Sequence, residues 1–253
     1  MMISARICMA NAAQIERHVL PDSAAAARAV AEWLLERALA VAGRPALCLA
    51  GGTTPRLVYE MLAERPLRER FPWERVHWFF GDERVVPQND ARSNAHMVRE
   101  ALFERAPVPP ENIHPVPTES GDAAAAAAAY EAALKQFYGS ERLAANRPLF
   151  AATLLGLGHD GHTASLFPGN PALAERKRWA VDVQDPSVPE PRVTLTIPTL
   201  ESSGEVAFLV TGAEKRSIVA RLARDEALPA ARIHPAGRLR WFLDRAAACP
   251  AAT

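Results

Sequence analysis

Short unbroken apolar runs that end in glycine-containing loops are the feature that most limits what this chain can become. Ala46–Ala50 (ALCLA) runs into Gly51-Gly52-Thr53-Thr54-Pro55, and Val76–Phe80 (VHWFF) into Gly81. Leu149–Leu157 (LFAATLLGL) runs into Gly158–Gly161, and Val206–Val210 (VAFLV) into Thr211-Gly212. Runs of this kind read as strands buried on both faces, as in a parallel sheet. Covering such strands takes helices that alternate with them, and the intervening segments have helical spacing. Ala24–Val41 follows a cap at Asp22 or Ser23; Pro55–Glu64 opens with Thr54 as cap and proline at the first helical position. Ser93–Arg105, Thr118–Tyr138 and Ala213–Ala223 complete the set, the alanine tract Ala123–Ala129 reading as helix because alanine is the best helix former. A first apolar stretch spans Gln14–Leu20, and Arg192–Ile197 and Leu239–Leu243 add strands. Gly81–Asn89 and Pro186–Pro191 read as loops, and the five prolines of Pro107–Pro117 as an extended connector. The expected class is α/β: three layers, a largely parallel sheet with helices on both faces. No repeat or linker divides residues 1–253, which are expected to form a single domain.

Composition narrows function by exclusion. With 49% hydrophobic and 23% charged residues, the chain has enough apolar surface to fold. Its 29 basic and 29 acidic residues cancel, so no overall field attracts nucleic acid or a membrane. Cys8, Cys48 and Cys249 are odd in number and widely spaced, without a metal-ligand pattern, so neither a disulfide framework nor a zinc site is expected. Nor does any segment resemble a secretory signal or a membrane span. A cytoplasmic location is the expectation, and any anion must be held by a local site.

In parallel sheets such sites form beyond the carboxyl ends of the strands. Gly51, Gly52, Thr53 and Thr54 can cradle phosphate, with glycines admitting a close anion and a helix start offering free N–H groups. The same residues equally make a capped turn. The turn lacks the lysine of a P-loop and is not a GxGxxG turn, so no nucleotide cofactor is indicated. In Gly81-Asp82-Glu83-Arg84, Asp82 can accept from hydroxyls and Arg84 can fork onto phosphate or an oxyanion, though three charges at a strand end also suit a solvated turn. Ser93-Asn94 reads as the cap of the next helix. The segment Gly156–Pro168 places His162 two residues after Asp160, a pairing that lets a carboxylate orient an imidazole base. Its alternative is a histidine satisfied by loop carbonyls. Lys215 is one of only three lysines, with Lys135 and Lys177, in an arginine-rich chain. At a helix start it suits a shared anion, although chance placement competes.

Taken together, LAGGTTP (Leu49–Pro55), FFGDERVVP (Phe79–Pro87) with Ser93-Asn94, LLGLGHDGHTASLFPG (Leu154–Gly169), RVTLTIP (Arg192–Pro198) and VTGAEK (Val210–Lys215) resemble the 6-phosphogluconolactonase family, over essentially the whole chain. The resemblance implies the modified Rossmann-like fold shared with glucosamine-6-phosphate isomerase/deaminase. It implies hydrolysis of 6-phospho-D-glucono-1,5-lactone to 6-phospho-D-gluconate in the oxidative pentose phosphate pathway, with no metal or organic cofactor. By the same resemblance His162 is the base, Asp160 its neighbour, and Arg84 and Lys215 are cationic contacts. Gly51, Gly52, Thr53 and Thr54 fall where relatives bind sugar phosphate, and Arg192 matches a family arginine. Ala50 and Thr53 replace serines common in relatives, and His96 stands where an aromatic is common. The implied partner is a small sugar-phosphate lactone, with no nucleic acid or membrane, bound by a monomer or weak homo-oligomer. Two rivals remain. An amino-sugar isomerase would carry glutamate where this chain has Phe167, and a sugar-phosphate sensor would need a DNA-reading module for which no basic helix is available.

Overall fold

A computed structural model of the protein describes residues 14–222, 224 and 227–248. Cys8, Cys249 and the end of the helix expected at Ala223 lie outside the described residues. The elements run β1 (Gln14–Leu20), α1 (Ser23–Ala40), β2 (Ala46–Leu49), α2 (Thr53–Leu62), α3 (Leu67–Arg70), β3 (His77–Phe80), β4 (Asp82–Arg84), α4 (Asn94–Val98) and α5 (Ala123–Tyr138). They continue with β5 (Phe150–Leu155), β6 (Ala180–Val183), β7 (Arg192–Leu195), α6 (Ile197–Glu201), β8 (Ser203–Val210), α7 (Arg216–Leu222) and β9 (Arg238–Asp244). Six strands form one sheet in the order β1-β9-β8-β5-β2-β3, parallel at every pairing. The central strands β2, β5 and β8 are buried along nearly their whole length, as strands covered on both faces must be.

The helices that cover the sheet are locked to it by polar side chains. Asp22 caps α1 by accepting from the Ala25 N–H at 2.8 Å, and Trp33 of that helix donates its indole N–H to buried Glu205 of β8 at 2.8 Å. Arg37 and Arg240 complete the pairing of Glu205, each at 2.8 Å, so the interior carboxylate is not left alone. Two buried tyrosines work at the carboxyl ends of the strands. The Tyr59 hydroxyl of α2 donates to the Ala50 carbonyl at 2.7 Å and accepts from its N–H at 3.0 Å. The Tyr130 hydroxyl of α5 does the same for Phe80, at 2.9 and 2.7 Å. Where the ladder stops, these phenols satisfy the last backbone groups, and the chain can turn away at Gly51 and Gly81 without orphaned N–H or C=O.

Several local expectations need correction. Gly81–Asn89 is not all loop: β4 lies within it and joins an antiparallel sheet of order β4-β7-β6, with Asp82, Glu83 and Arg84 opposite Thr194, Val193 and Arg192. A three-residue charged strand has no sequence signature, because only its partner strand makes it one. The strand β6 was likewise not expected. The helix α2 begins at Thr53, with Gly52 and not Thr54 at its cap position and no side-chain cap bond. The segment Ser93–Arg105 is helical but widens to a π-turn over Arg99–Phe103, and α5 begins at Ala123, five residues later than Thr118. No helix among the described residues is long and apolar enough to cross a membrane.

Candidate active site

Because β3, β2, β5 and β8 are neighbours, their four glycine loops emerge side by side from one end of the sheet. The chain goes from β2 to β3 on one side and later to β5 on the other, which opens a crevice where the winding reverses. A cleft of about 260 Å³ lies there, lined by Gly51, Gly52, Asp82, Arg84, Asn94, His162, Arg192 and Lys215, among others. Seven of the sequence-predicted residues therefore converge from segments far apart in the chain. Thr53 lies in an adjoining recess with Arg56, His96 and Glu100. Thr54 is not among the residues lining the cleft, and its hydroxyl pairs with that of Thr211 at 3.0 Å.

The histidine loop is held by its own backbone. Gly158 N–H donates to the His162 carbonyl at 2.8 Å, and the Thr163 hydroxyl donates to the Gly156 carbonyl at 3.0 Å. The His162 Nδ1 lies 2.6 Å from Asp160 Oδ1, which also accepts from the His162 N–H at 3.1 Å. Partial burial pushes the Asp160 carboxyl up, but the His162 backbone N–H and ring outweigh it and hold the carboxyl below the usual carboxylate range. An ionised Asp160 accepts only, so it fixes the proton on Nδ1 and leaves Nε2 with a lone pair. Asp160 itself stands behind the ring and does not line the cleft. The ring packs on Phe167 at 4.8 Å and can lie over the loop because residue 158 is glycine: a Cβ there would stand 2.1 Å from Nδ1. Ala164, at φ +48, is the described non-glycine residue in left-handed backbone, and it too lines the cleft. Strain of that kind is commonly found at functional sites.

Cationic groups line the same cleft as the histidine. Arg84 and Arg192 sit directly opposite each other across the β4–β7 ladder, and both have a buried Nε without a partner. Burial, and next the charge of Arg84, pull the Arg192 pKa below its ordinary value. Like charges opposed in a sheet repel, and an anion between them removes the penalty. Lys215, the last residue of a short 3₁₀ turn before α7, donates to the Leu157 carbonyl at 2.7 Å and keeps two N–H groups for a ligand. Burial shifts its pKa downward.

The acidic residues have mainly structural partners. Asp82 lines the cleft but accepts from the Ser165 hydroxyl at 2.6 Å, tying the histidine loop to β4. Glu83, 1% exposed, accepts from the Arg84, Asn94 and Ala95 N–H groups at 2.7–2.8 Å and from the Ser93 hydroxyl at 3.0 Å. Burial pushes its carboxyl up while those N–H bonds pull it back. It is an anchor for the start of α4, and that anchor delivers Asn94 to the cleft. Sequence reasoning assigned Asn94 to helix capping alone; its signal, an asparagine beside the capping serine, is shared with ordinary caps.

The chain is similar to known proteins over most of its length. A family model described as glucosamine-6-phosphate isomerases/6-phosphogluconolactonase matches residues 21–241. The chain is 41% identical to a 6-phosphogluconolactonase of Synechocystis over 84% of its own length and 87% of the relative's. It is 40% identical to one from Nostoc, over 90% and 95%. The crystal structure of 6-phosphogluconolactonase from Thermotoga maritima superposes with a TM-score of 0.77 at 31% identity, covering 92% of this chain and 100% of that one.

Proposed function

Since the chain belongs to the glucosamine-6-phosphate isomerase/6-phosphogluconolactonase family, we propose that it hydrolyses 6-phospho-D-glucono-1,5-lactone to 6-phospho-D-gluconate, with His162 as general base. The observation that carries the reading is the 2.6 Å contact between His162 Nδ1 and Asp160 on a ring that opens onto a cationic cleft. The contact leaves Nε2 as the acceptor of a ring that lines the cleft, which supports its assignment as the base.

In the proposed sequence the phosphate is gripped by Lys215 and the N–H groups at the start of α2, which sets C1 of the lactone in front of His162. Water adds to C1 while Nε2 takes its proton, and the carbonyl oxygen becomes an oxyanion. Arg84 and Arg192 offer unpartnered N–H donors for it. The C1–O5 bond then breaks, and the imidazolium returns its proton to O5. The new C1 carboxylic acid then loses its own proton to solvent, and the opposed arginines are suited to the carboxylate that results.

Isomerase chemistry is disfavoured by a specific observation. Phe167, 2% exposed, fills the place beside the imidazole where a carboxylate would have to act. The test is acid release from freshly generated lactone above its spontaneous rate, with glucosamine-6-phosphate as control. His162→Ala is expected to lower kcat by ~10²–10⁴-fold; an unchanged kcat removes the base from the mechanism.

A further inference from the structure

The walls of the cleft are rich in donors. Arg84, Arg192 and Lys215 contribute N–H groups, and of the Asp82 carboxylate Oδ2 is engaged by Ser165 while Oδ1 lies 3.5 Å from Asn94 Nδ2. A polyol substrate also brings hydroxyl protons that need acceptors, and a buried hydroxyl without one loses affinity. Asn94 offers an acceptor with no partner at all. Asn94 is 2% exposed, lines both the cleft and the adjoining recess, and its Oδ1 is buried with no hydrogen-bond partner.

The orientation of that oxygen is determined by its surroundings. Asn94 Nδ2 donates to the Asp82 carbonyl at 2.9 Å and leans toward Asp82 Oδ1 at 3.5 Å. Turning the amide over would set oxygen against two acceptors, so the oxygen must face the other way. The Asn94 N–H is bound to Glu83 at 2.7 Å, which holds the backbone as well. Gly51 makes room on the remaining side: a Cβ there would stand 1.9 Å from Oδ1. Glycine at 51 is thus explained by the asparagine it faces, with no need for unusual backbone.

Resting on the lactonase reading above, we infer that Asn94 Oδ1 accepts a hydrogen bond from one ring hydroxyl of the substrate and so determines which sugar lactones the enzyme takes. Gly51 acts as its seat. A buried acceptor built to receive a hydroxyl rejects analogues lacking that hydroxyl, because both partners are otherwise desolvated for nothing.

The test combines enzyme variants with substrate variants. Wild type, Asn94→Ala and Gly51→Ala are assayed on 6-phosphogluconolactone and on its 2-, 3- and 4-deoxy counterparts. Wild type is expected to lose about ten- to a hundredfold in kcat/KM on one deoxy lactone. Asn94→Ala is expected to lose a similar factor on the parent lactone and to be indifferent to the same deletion. Gly51→Ala, which leaves Asn94 in place but displaces its amide, should show the same insensitivity and carries the test should Asn94→Ala not fold. Equal losses by variant and wild type across all deoxy lactones would overturn the assignment, since a purely structural asparagine scales every substrate alike. A wild-type protein that leaves the parent lactone at its spontaneous rate would instead overturn the lactonase reading, and this inference with it.

Discussion

Replacing Gly158 with alanine should silence the enzyme while leaving it folded. Gly158 is not among the glycines with positive φ, so the backbone accepts alanine. The new Cβ, however, would stand 2.1 Å from His162 Nδ1, 2.3 Å from Cε1 and 2.6 Å from Cγ, where ordinary contact begins near 3.4 Å. The ring must retreat by more than about 1 Å, which breaks the 2.6 Å bond to Asp160 and carries Nε2 away from C1. A displacement of that size costs about 10²-fold in a well-aligned reaction, or ~2.7 kcal/mol of barrier. Stability should change little, by ~1 kcal/mol or less, because the His162 side chain is already 33% exposed. The assay is initial acid release on fresh lactone, with thermal melting in parallel. In a His162→Ala background the same substitution should cost almost nothing further, since both act through one imidazole. A Gly158→Ala enzyme within threefold of wild-type kcat would refute the reasoning, as would an additive loss in the double variant.

Two other substitutions probe what holds the site and the fold. Glu83→Gln replaces a carboxylate that accepts four hydrogen bonds with an amide that turns an NH₂ toward N–H groups; it should cost ~3 kcal/mol in urea unfolding and lower kcat/KM by displacing Asn94. At the other end of β3, His77 is pulled down to about 4, by burial first and then by the charges of Arg44 and His114. The unfolded imidazole therefore binds a proton that the folded one refuses, and stability should fall as pH drops from about 6.5 toward about 4. Urea midpoints across that range should decline less steeply for His77→Gln than for wild type; parallel slopes would remove His77 from the account.

Much of the architecture is legible in the sequence because its signals are local. Unbroken apolar runs mark β2, β3, β5 and β8, and the capping aspartate Asp22 marks the start of α1. The strands β4 and β6 are not legible. Their residues become strand only through pairing with β7, and three charged residues followed by a proline-bearing segment look like any polar loop. Among the site residues, the histidine–aspartate pair is visible because two residues of one loop must be near each other. The pairing of the Thr54 hydroxyl with Thr211, 157 residues away, has no local signal. The unpartnered oxygen of Asn94 was hidden for the same reason: a cap is a local property, whereas an unsatisfied oxygen can be recognised only when all its neighbours are known.

The residue types themselves supplied the groups on which the proposed chemistry rests: an imidazole two residues from a carboxylate, a few cations, and glycine-containing loops at strand ends. What only the folded chain decided is which atoms are left without partners. The ladder that sets Arg84 against Arg192, the Ser165 hydroxyl that occupies Asp82, and the carbonyl that turns the Asn94 amide all come from segments distant in sequence. Hydrogen-bonding capacity is written into each side chain, but whether that capacity is spent or free depends on packing, and binding draws on what is free.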